Sequence, residues 1–70
     1  MASMQLNVNG TARTFERPVL TVADVVHELA LEGKRIAVEK NGAIVPRSRY
    51  ADTPVADGDA LEIVGAVGGG

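Results

Sequence analysis

The stretch Met4-Gln5-Leu6-Asn7-Val8-Asn9-Gly10-Thr11-Ala12-Arg13-Thr14-Phe15-Glu16-Arg17 decides how this chain folds. Its first half alternates apolar and polar residues, which sets Met4, Leu6 and Val8 on one face of a β-strand. Asn9-Gly10 then breaks the alternation. Both central residues of a type I′ turn need positive φ, and Asn followed by Gly supplies it at little steric cost, so the dipeptide predicts a tight hairpin. Residues 11–17 return as the second strand, with Phe15 as the buried side chain and Arg13 and Arg17 in water. Pro18, which has no N–H to give to a ladder, ends it.

Downstream of the hairpin the apolar period changes from two to that of a helix. Thr21 is placed to cap the free N–H groups, with Asp24 three residues on as an abbreviated capping box that also favours the positive end of the helix dipole. Val22, Val25, Val26 and Leu29 recur as one inward stripe, and Asp24, His27, Glu28 and Glu32 point outward. Gly33 is read as the left-handed residue that stops the helix after about three turns. Ile36-Ala37-Val38-Glu39 is a third strand, Asn41-Gly42 a second hairpin turn, and Ala43-Ile44-Val45 a short fourth strand ended by Pro46. Residues 46–56 read as an irregular connection in which Tyr50 and Val55 cover one end of the core, and Asp57-Gly58-Asp59 reads as a turn. Residues 60–66 form the last strand, Leu61 and Ile63 facing the core and Glu62 and Val64 facing away.

Hairpin, helix, hairpin and final strand, each half-buried, describe a sheet covered on one face by one helix. The expected fold is α+β, a β-grasp in which a mixed sheet of four to five strands packs on a single helix. In that arrangement the first and last strands pair parallel in the middle of the sheet. Residues 1–66 are expected to form the domain, and residues 67–70 a flexible glycine tail projecting from the protected last strand.

At 70 residues the chain is near the size at which a single core without disulfides or metals outweighs chain entropy. Hydrophobic residues make up 46% of it and aromatics only 3%, so the core must be built from Val, Leu, Ile and Ala. The absence of cysteine excludes a disulfide framework, a thiolate metal site and a redox or nucleophilic thiol on this chain. Nine acids and seven bases are spread without a basic stripe, which argues against nucleic-acid binding. No apolar run reaches the roughly 18 residues of a membrane span, and the N-terminus lacks a charged head with a long apolar segment. No membrane association is expected, and the location expected is cytoplasmic.

The residues most suggestive of chemistry lie at the end of the chain. Val67-Gly68-Gly69-Gly70 follows a strand with residues that order poorly, because glycine loses the most backbone entropy and has nothing to pack. Such a tail reads either as a frayed end or as a thin peptide able to enter a narrow channel and offer the Gly70 carboxylate to a second protein. Val64, outward on the last strand, together with Ala66 and Val67, reads as a docking patch beside it or as sheet surface covered by a neighbour. Elsewhere the residues are bland. His27 has no partner ligands at recognisable spacing and reads as a surface histidine; Asp57 and Asp59 lack the rest of a calcium loop; Arg47-Ser48-Arg49 has no glycine-rich cradle and reads as solvated loop. With no nucleophile–base pair, P-loop or metal constellation, the chain is not expected to be an enzyme by itself.

Three segments carry a resemblance: residues 38–48 (Val-Glu-Lys-Asn-Gly-Ala-Ile-Val-Pro-Arg-Ser), residues 57–64 (Asp-Gly-Asp-Ala-Leu-Glu-Ile-Val) and the closing Ala66-Val67-Gly68-Gly69-Gly70. With them, the chain from Met4 to Gly70 resembles the sulfur carrier proteins of thiamine biosynthesis, the ThiS family of ubiquitin-like β-grasp proteins. The departures are a third glycine, Gly68, before the usual pair, and Phe15 where a smaller aliphatic is common. The resemblance implies that an E1-like adenylyltransferase of the ThiF type adenylates the Gly70 carboxylate with ATP and magnesium, neither of which this chain binds as a cofactor. It further implies conversion to a thiocarboxylate with sulfur from a donor such as a cysteine desulfurase, and delivery to a thiazole synthase of the ThiG type. Gly69 and Gly68 would be the threading residues, and no residue of this chain would be catalytic or hold metal. The small sulfur-carrying subunit of molybdopterin synthase and a ubiquitin-like protein modifier share the fold and the Gly-Gly end, and stand as alternatives.

Overall fold

The computed structural model describes residues 3–16, 19 and 21–65. Five strands run in the order β1 (Met4–Val8), β2 (Thr11–Phe15), β3 (Ile36–Lys40), β4 (Ala43–Val45) and β5 (Ala60–Gly65), with helix α1 (Val22–Glu28) between β2 and β3. In the sheet they lie as β2-β1-β5-β3-β4. β1 and β5 pair parallel at the centre, and every other neighbouring pair is antiparallel. The sheet is therefore mixed and five-stranded, with the last strand lying between β1 and β3, the β-grasp expected from the hairpin–helix–hairpin–strand pattern.

Both Asn-Gly turns take the predicted geometry. Asn9 and Gly10 have φ of 54° and 82°, and Asn41 and Gly42 have 50° and 89°, so all four sit in the left-handed region that a type I′ turn demands. Register follows from the turns. Met4 faces Phe15, Leu6 faces Arg13 and Val38 faces Val45, which sends Leu6, Val8, Val38, Val45, Leu61 and Ile63 to the face covered by α1. Val22, Val25 and Val26 of the helix close onto them, and Phe15, Val19, Tyr50 and Val55 seal the ends. Fully burying one such aliphatic side chain is worth about 1.5–3 kcal/mol, and valines in the helix rely on this packing because their own helix propensity is low.

The helix begins as read and ends earlier. Thr21 Oγ1 accepts from the Asp24 N–H at 3.2 Å and Asp24 Oδ2 accepts from the Thr21 N–H at 3.0 Å, a reciprocal capping box. Gly33 does not terminate α1, which runs seven residues to Glu28. The left-handed residue at its end is Ala30, with φ of 59°. The Ala30 N–H donates to His27 O and the Leu31 N–H to Val26 O, both at 3.0 Å, the paired closure of a Schellman motif. Gly33, at φ of 77°, belongs to the loop that follows. The apolar Leu31, packed against the core, decides the stopping point over the more permissive glycine.

The connection after β4 also departs from the irregular one expected. Arg47–Asp52 is a 3-10 helix, with the Arg49 N–H donating to Pro46 O at 2.8 Å and the Thr53 hydroxyl to Arg49 O at 2.7 Å. Tyr50 is the single buried residue on it. Its far end touches the start of α1, where the Val22 N–H donates to Thr53 O at 2.9 Å. The second strand is slightly shorter than read, ending at Phe15, and the last strand runs to Gly65, its expected final residue Ala66 lying outside the described residues.

Candidate functional site

Strand β5 is the base from which residues 66–70 continue, and its placement is unusually well determined. The Asn41 N–H donates to Ala60 O at 2.7 Å while the Asn41 side chain accepts from the Ala60 N–H at 2.9 Å and donates to Asp59 Oδ1 at 3.1 Å. At the other end, Asn9 Oδ1 accepts from the Ile63 N–H at 2.7 Å and Asn9 Nδ2 donates to Ile63 O at 2.8 Å. Each turn asparagine thus bends its own hairpin and binds β5.

The Asp57-Gly58-Asp59 segment is a turn, with Gly58 at φ of 91°; Asp57 ties it to β1 and Asp59 closes it locally. Asp57 Oδ1 accepts from the Gln5 N–H at 2.7 Å, and Asp59 Oδ2 accepts from the Ala56 N–H at 2.8 Å. Lys40 Nζ donates to Pro54 O at 2.7 Å and stands 3.9 Å from Asp59 Oδ2. Desolvation pushes the Asp59 carboxyl up, but the Ala56 N–H, the Asn41 amide and the Lys40 ammonium together outweigh it and hold its pKa below the usual aspartate value.

Among the sequence-predicted site residues, Val64 lies on the sheet face away from the helix and is 55% exposed. Ala66, Val67, Gly68, Gly69 and Gly70 lie outside the described residues. The sequence reading missed Ile44, which is 77% exposed and shares that face. Register explains it: Ile44 faces Glu39, Glu39 faces Glu62, and Ala37 faces Val64, so these five side chains occupy one outer surface. Strand spacing and rise put Ile44 and Val64 about 12 Å apart, with Ala37 and the two glutamates between. Counting back from the Asn41-Gly42 turn, with Val45 inward opposite Val38, would have found Ile44 outward. Glu39 and Glu62 directly opposed on paired strands cost stability by like-charge repulsion, so this surface is not arranged for the fold's benefit.

The remaining polar candidates are structural. His27 Nδ1 lies 2.6 Å from Glu32 Oε2, both side chains being exposed. Arg47 donates from Nη2 to Lys34 O at 2.8 Å, fastening the 3-10 helix to the loop after α1. Among the described residues no group of three potential metal ligands comes together, and no helix is long and apolar enough to cross a membrane.

The sequence profile of the ThiS family matches residues 6–70. The chain belongs to the ThiS family. The sulfur carrier protein ThiS of Bacillus subtilis (strain 168) is 35% identical over 65 residues, covering 93% of this chain and 98% of that one. A crystal structure of the thiamine biosynthesis protein ThiS from Geobacter metallireducens superposes with a TM-score of 0.82 at 35% identity, covering 96% of this chain and all of that one. A thiazole synthase of Paramagnetospirillum magneticum (strain AMB-1) is 46% identical over 67 residues, which are 96% of this chain and 20% of that protein. The chain spans about a fifth of the thiazole synthase and nearly the whole of the B. subtilis ThiS. The ThiS-family match extends through Gly70, so the glycine end falls within the shared sequence.

Proposed function

We propose that this ThiS-family chain carries sulfur on the carboxyl group of Gly70 and gives it up for the thiazole ring of thiamine. The observation that carries the reading is the family match through residue 70, which joins the glycine end to a β-grasp body whose central strand leads into it. The chemistry dictates the division of labour. A carboxylate is a poor acyl donor, so an E1-like adenylyltransferase of the ThiF type first joins it to AMP from ATP, releasing pyrophosphate. Magnesium and the cationic groups for that nucleotidyl transfer belong to the partner. A persulfide from a donor such as a cysteine desulfurase then displaces AMP, and a thiol cleaves the resulting S–S bond to leave the thiocarboxylate. A thiazole synthase of the ThiG type receives the sulfur.

In this scheme the protein is a co-substrate and not an enzyme, working in the cytoplasm beside its partners. The glycines matter for access: the four residues 67–70 extended reach at most about 14 Å, enough to enter a buried active site while the folded body stays outside. Once threaded, the carbonyl is held against the reacting sulfur, and proximity supplies much of the rate. The outer sheet surface is the docking face, with Ala37 and Val64 side by side and Glu39 and Glu62 between them and Ile44; Ala66 and Val67 are assigned to the same docking role. It calls for a partner surface with apolar groups over Ile44 and over Ala37 and Val64, and with Arg or Lys opposite the glutamates between them.

Intact-mass measurement after incubation with ATP, the activating enzyme and a sulfur donor tests the proposal. Exchange of one oxygen for sulfur at Gly70 is the expected result, and rescue of a thiazole auxotroph separates this carrier from a molybdopterin synthase subunit. Lysine conjugates in place of the sulfur exchange would mark a protein modifier and overturn the reading.

A further inference from the structure

We infer that Asn9 is a positioning residue for this acyl chemistry: its side-chain amide holds the β1-side edge of β5 at Ile63, two residues before the end of the strand that leads into the terminal segment. The inference rests on the sulfur-carrier reading and adds to it a residue remote from the terminus in sequence. Backbone pairing of β1 with β5 is confined to Asn7↔Ala60 and Val8↔Leu61, and the Asn9 N–H carries the ladder on to Leu61 O at 2.9 Å. There the β1 backbone turns away, with Asn9 at φ of 54°, to begin the hairpin. The next rung is made by a side chain. The Asn9 carboxamide accepts from the Ile63 N–H and donates to the Ile63 carbonyl, so it stands where a further strand residue would and satisfies both groups in a partly buried position.

Beyond that rung, among the described residues, β5 is paired on one side only, by β3 at Ala37↔Val64 and Ile36↔Gly65. Ile63 is the last residue of β5 held from both edges, and Gly65, two residues on, has no Cβ and no atom within 4 Å of where one would be. A carrier whose tail must be threaded into another protein loses less conformational freedom on docking if the strand that leads into it is already held. Asn9 holds it at Ile63.

The second turn supplies a matched control. Asn41 has φ of 50°, precedes glycine in the same kind of turn, and also makes two side-chain hydrogen bonds at β5, but at Asp59 and Ala60, the start of the strand. The test compares Asn9→Gly with Asn41→Gly, since glycine keeps the positive φ of either turn and deletes only the amide. With the ThiF-type enzyme and ATP, Asn9→Gly is expected to raise the KM for the carrier about tenfold, or about 1.4 kcal/mol, the size of freezing one backbone residue, with kcat unchanged. Asn41→Gly is expected to leave both constants at the wild-type values. In the free proteins, amide exchange at Ile63 and Val64 should quicken at least about tenfold in Asn9→Gly only, a local opening rather than a global one. An unmoved KM or unmoved Ile63 exchange in Asn9→Gly overturns the proposal, as does an equal rise in KM in Asn41→Gly. Wild-type protein that is not adenylated removes the sulfur-carrier reading and this one with it. A working wild type with an indifferent Asn9→Gly removes this one alone.

Discussion

Truncating the outer surface of the sheet should cost binding and spare the fold. The perturbation is the pair Ile44→Ala and Val64→Ala, whose wild-type side chains are 77% and 55% exposed in the free protein. Full burial of an Ile or Val side chain is worth about 1.5–3 kcal/mol, so the fraction still open to a partner comes to about 2 kcal/mol for Ile44 and about 1 kcal/mol for Val64. Together they predict about 3 kcal/mol, on the order of a hundredfold in Kd. Folding should lose under about 1 kcal/mol, the scale of β-propensity at exposed strand positions. A reversed charge at Glu39 refines the test. Glu39→Lys replaces a like-charge opposition with a cross-strand ion pair to Glu62, so it should stabilise the fold by about 0.2–1 kcal/mol while weakening binding to a basic partner surface. Calorimetric titration of the activating enzyme and of the thiazole synthase, beside urea unfolding of each variant, measures both sides. A double alanine variant that binds within about twofold of wild type yet unfolds about 3 kcal/mol more easily would refute the reasoning, because the burial arithmetic would then apply to the folded core.

Three other expectations follow from specific geometry. Ala30→Gly relieves a left-handed alanine at the end of α1, which should raise stability by about 1 kcal/mol, seen as an upward shift of the urea midpoint without change in slope. Gly69→Val, or deletion of Gly70, should leave thermal unfolding unchanged and abolish ATP–pyrophosphate exchange by the activating enzyme, since the change falls on the threaded peptide and not on the core. For Asp59, whose folded pKa lies below its unfolded value, the stabilisation is complete above about pH 4 and is lost as pH falls through the folded pKa. Asp59→Asn should therefore flatten the acid limb of a stability-against-pH curve while lowering the plateau at neutral pH.

The parts of the fold that were legible in sequence are those in which one residue type answers one geometric demand. Two Asn-Gly dipeptides required positive φ twice over, Thr21 and Asp24 formed the reciprocal cap, and the four-position stripe from Val22 to Leu29 could face only one way. What escaped involves competition between local preferences or contacts across the chain. Gly33 is the better left-handed residue, but ending the helix at Ala30 brings Leu31 against the core, and burial outweighs the strain of one alanine. The 3-10 helix leaves no periodic signature, since Tyr50 alone is buried along it. Ile44 was readable in principle from the turn register, yet a short apolar run gives no sign of which member faces out until the partner strand is known.

The asparagine clamps escaped for a deeper reason, and they show how so small a body can hold the strand that leads into its terminal segment. A type I′ turn asks for Asn because its short side chain tolerates φ above zero, and that requirement says nothing about where the amide points. Only the parallel insertion of β5 beside β1 brings Ile63 into reach of Asn9, across 54 positions of sequence. The inner face of the sheet is occupied by the aliphatic core, and β3 already pairs with the other edge of β5. The turn side chain is therefore the remaining means of holding both edges as far as Ile63 without lengthening β1. A longer β1 would have covered the edge at Gly65 as well, where the proposed chemistry needs the chain to part from the sheet.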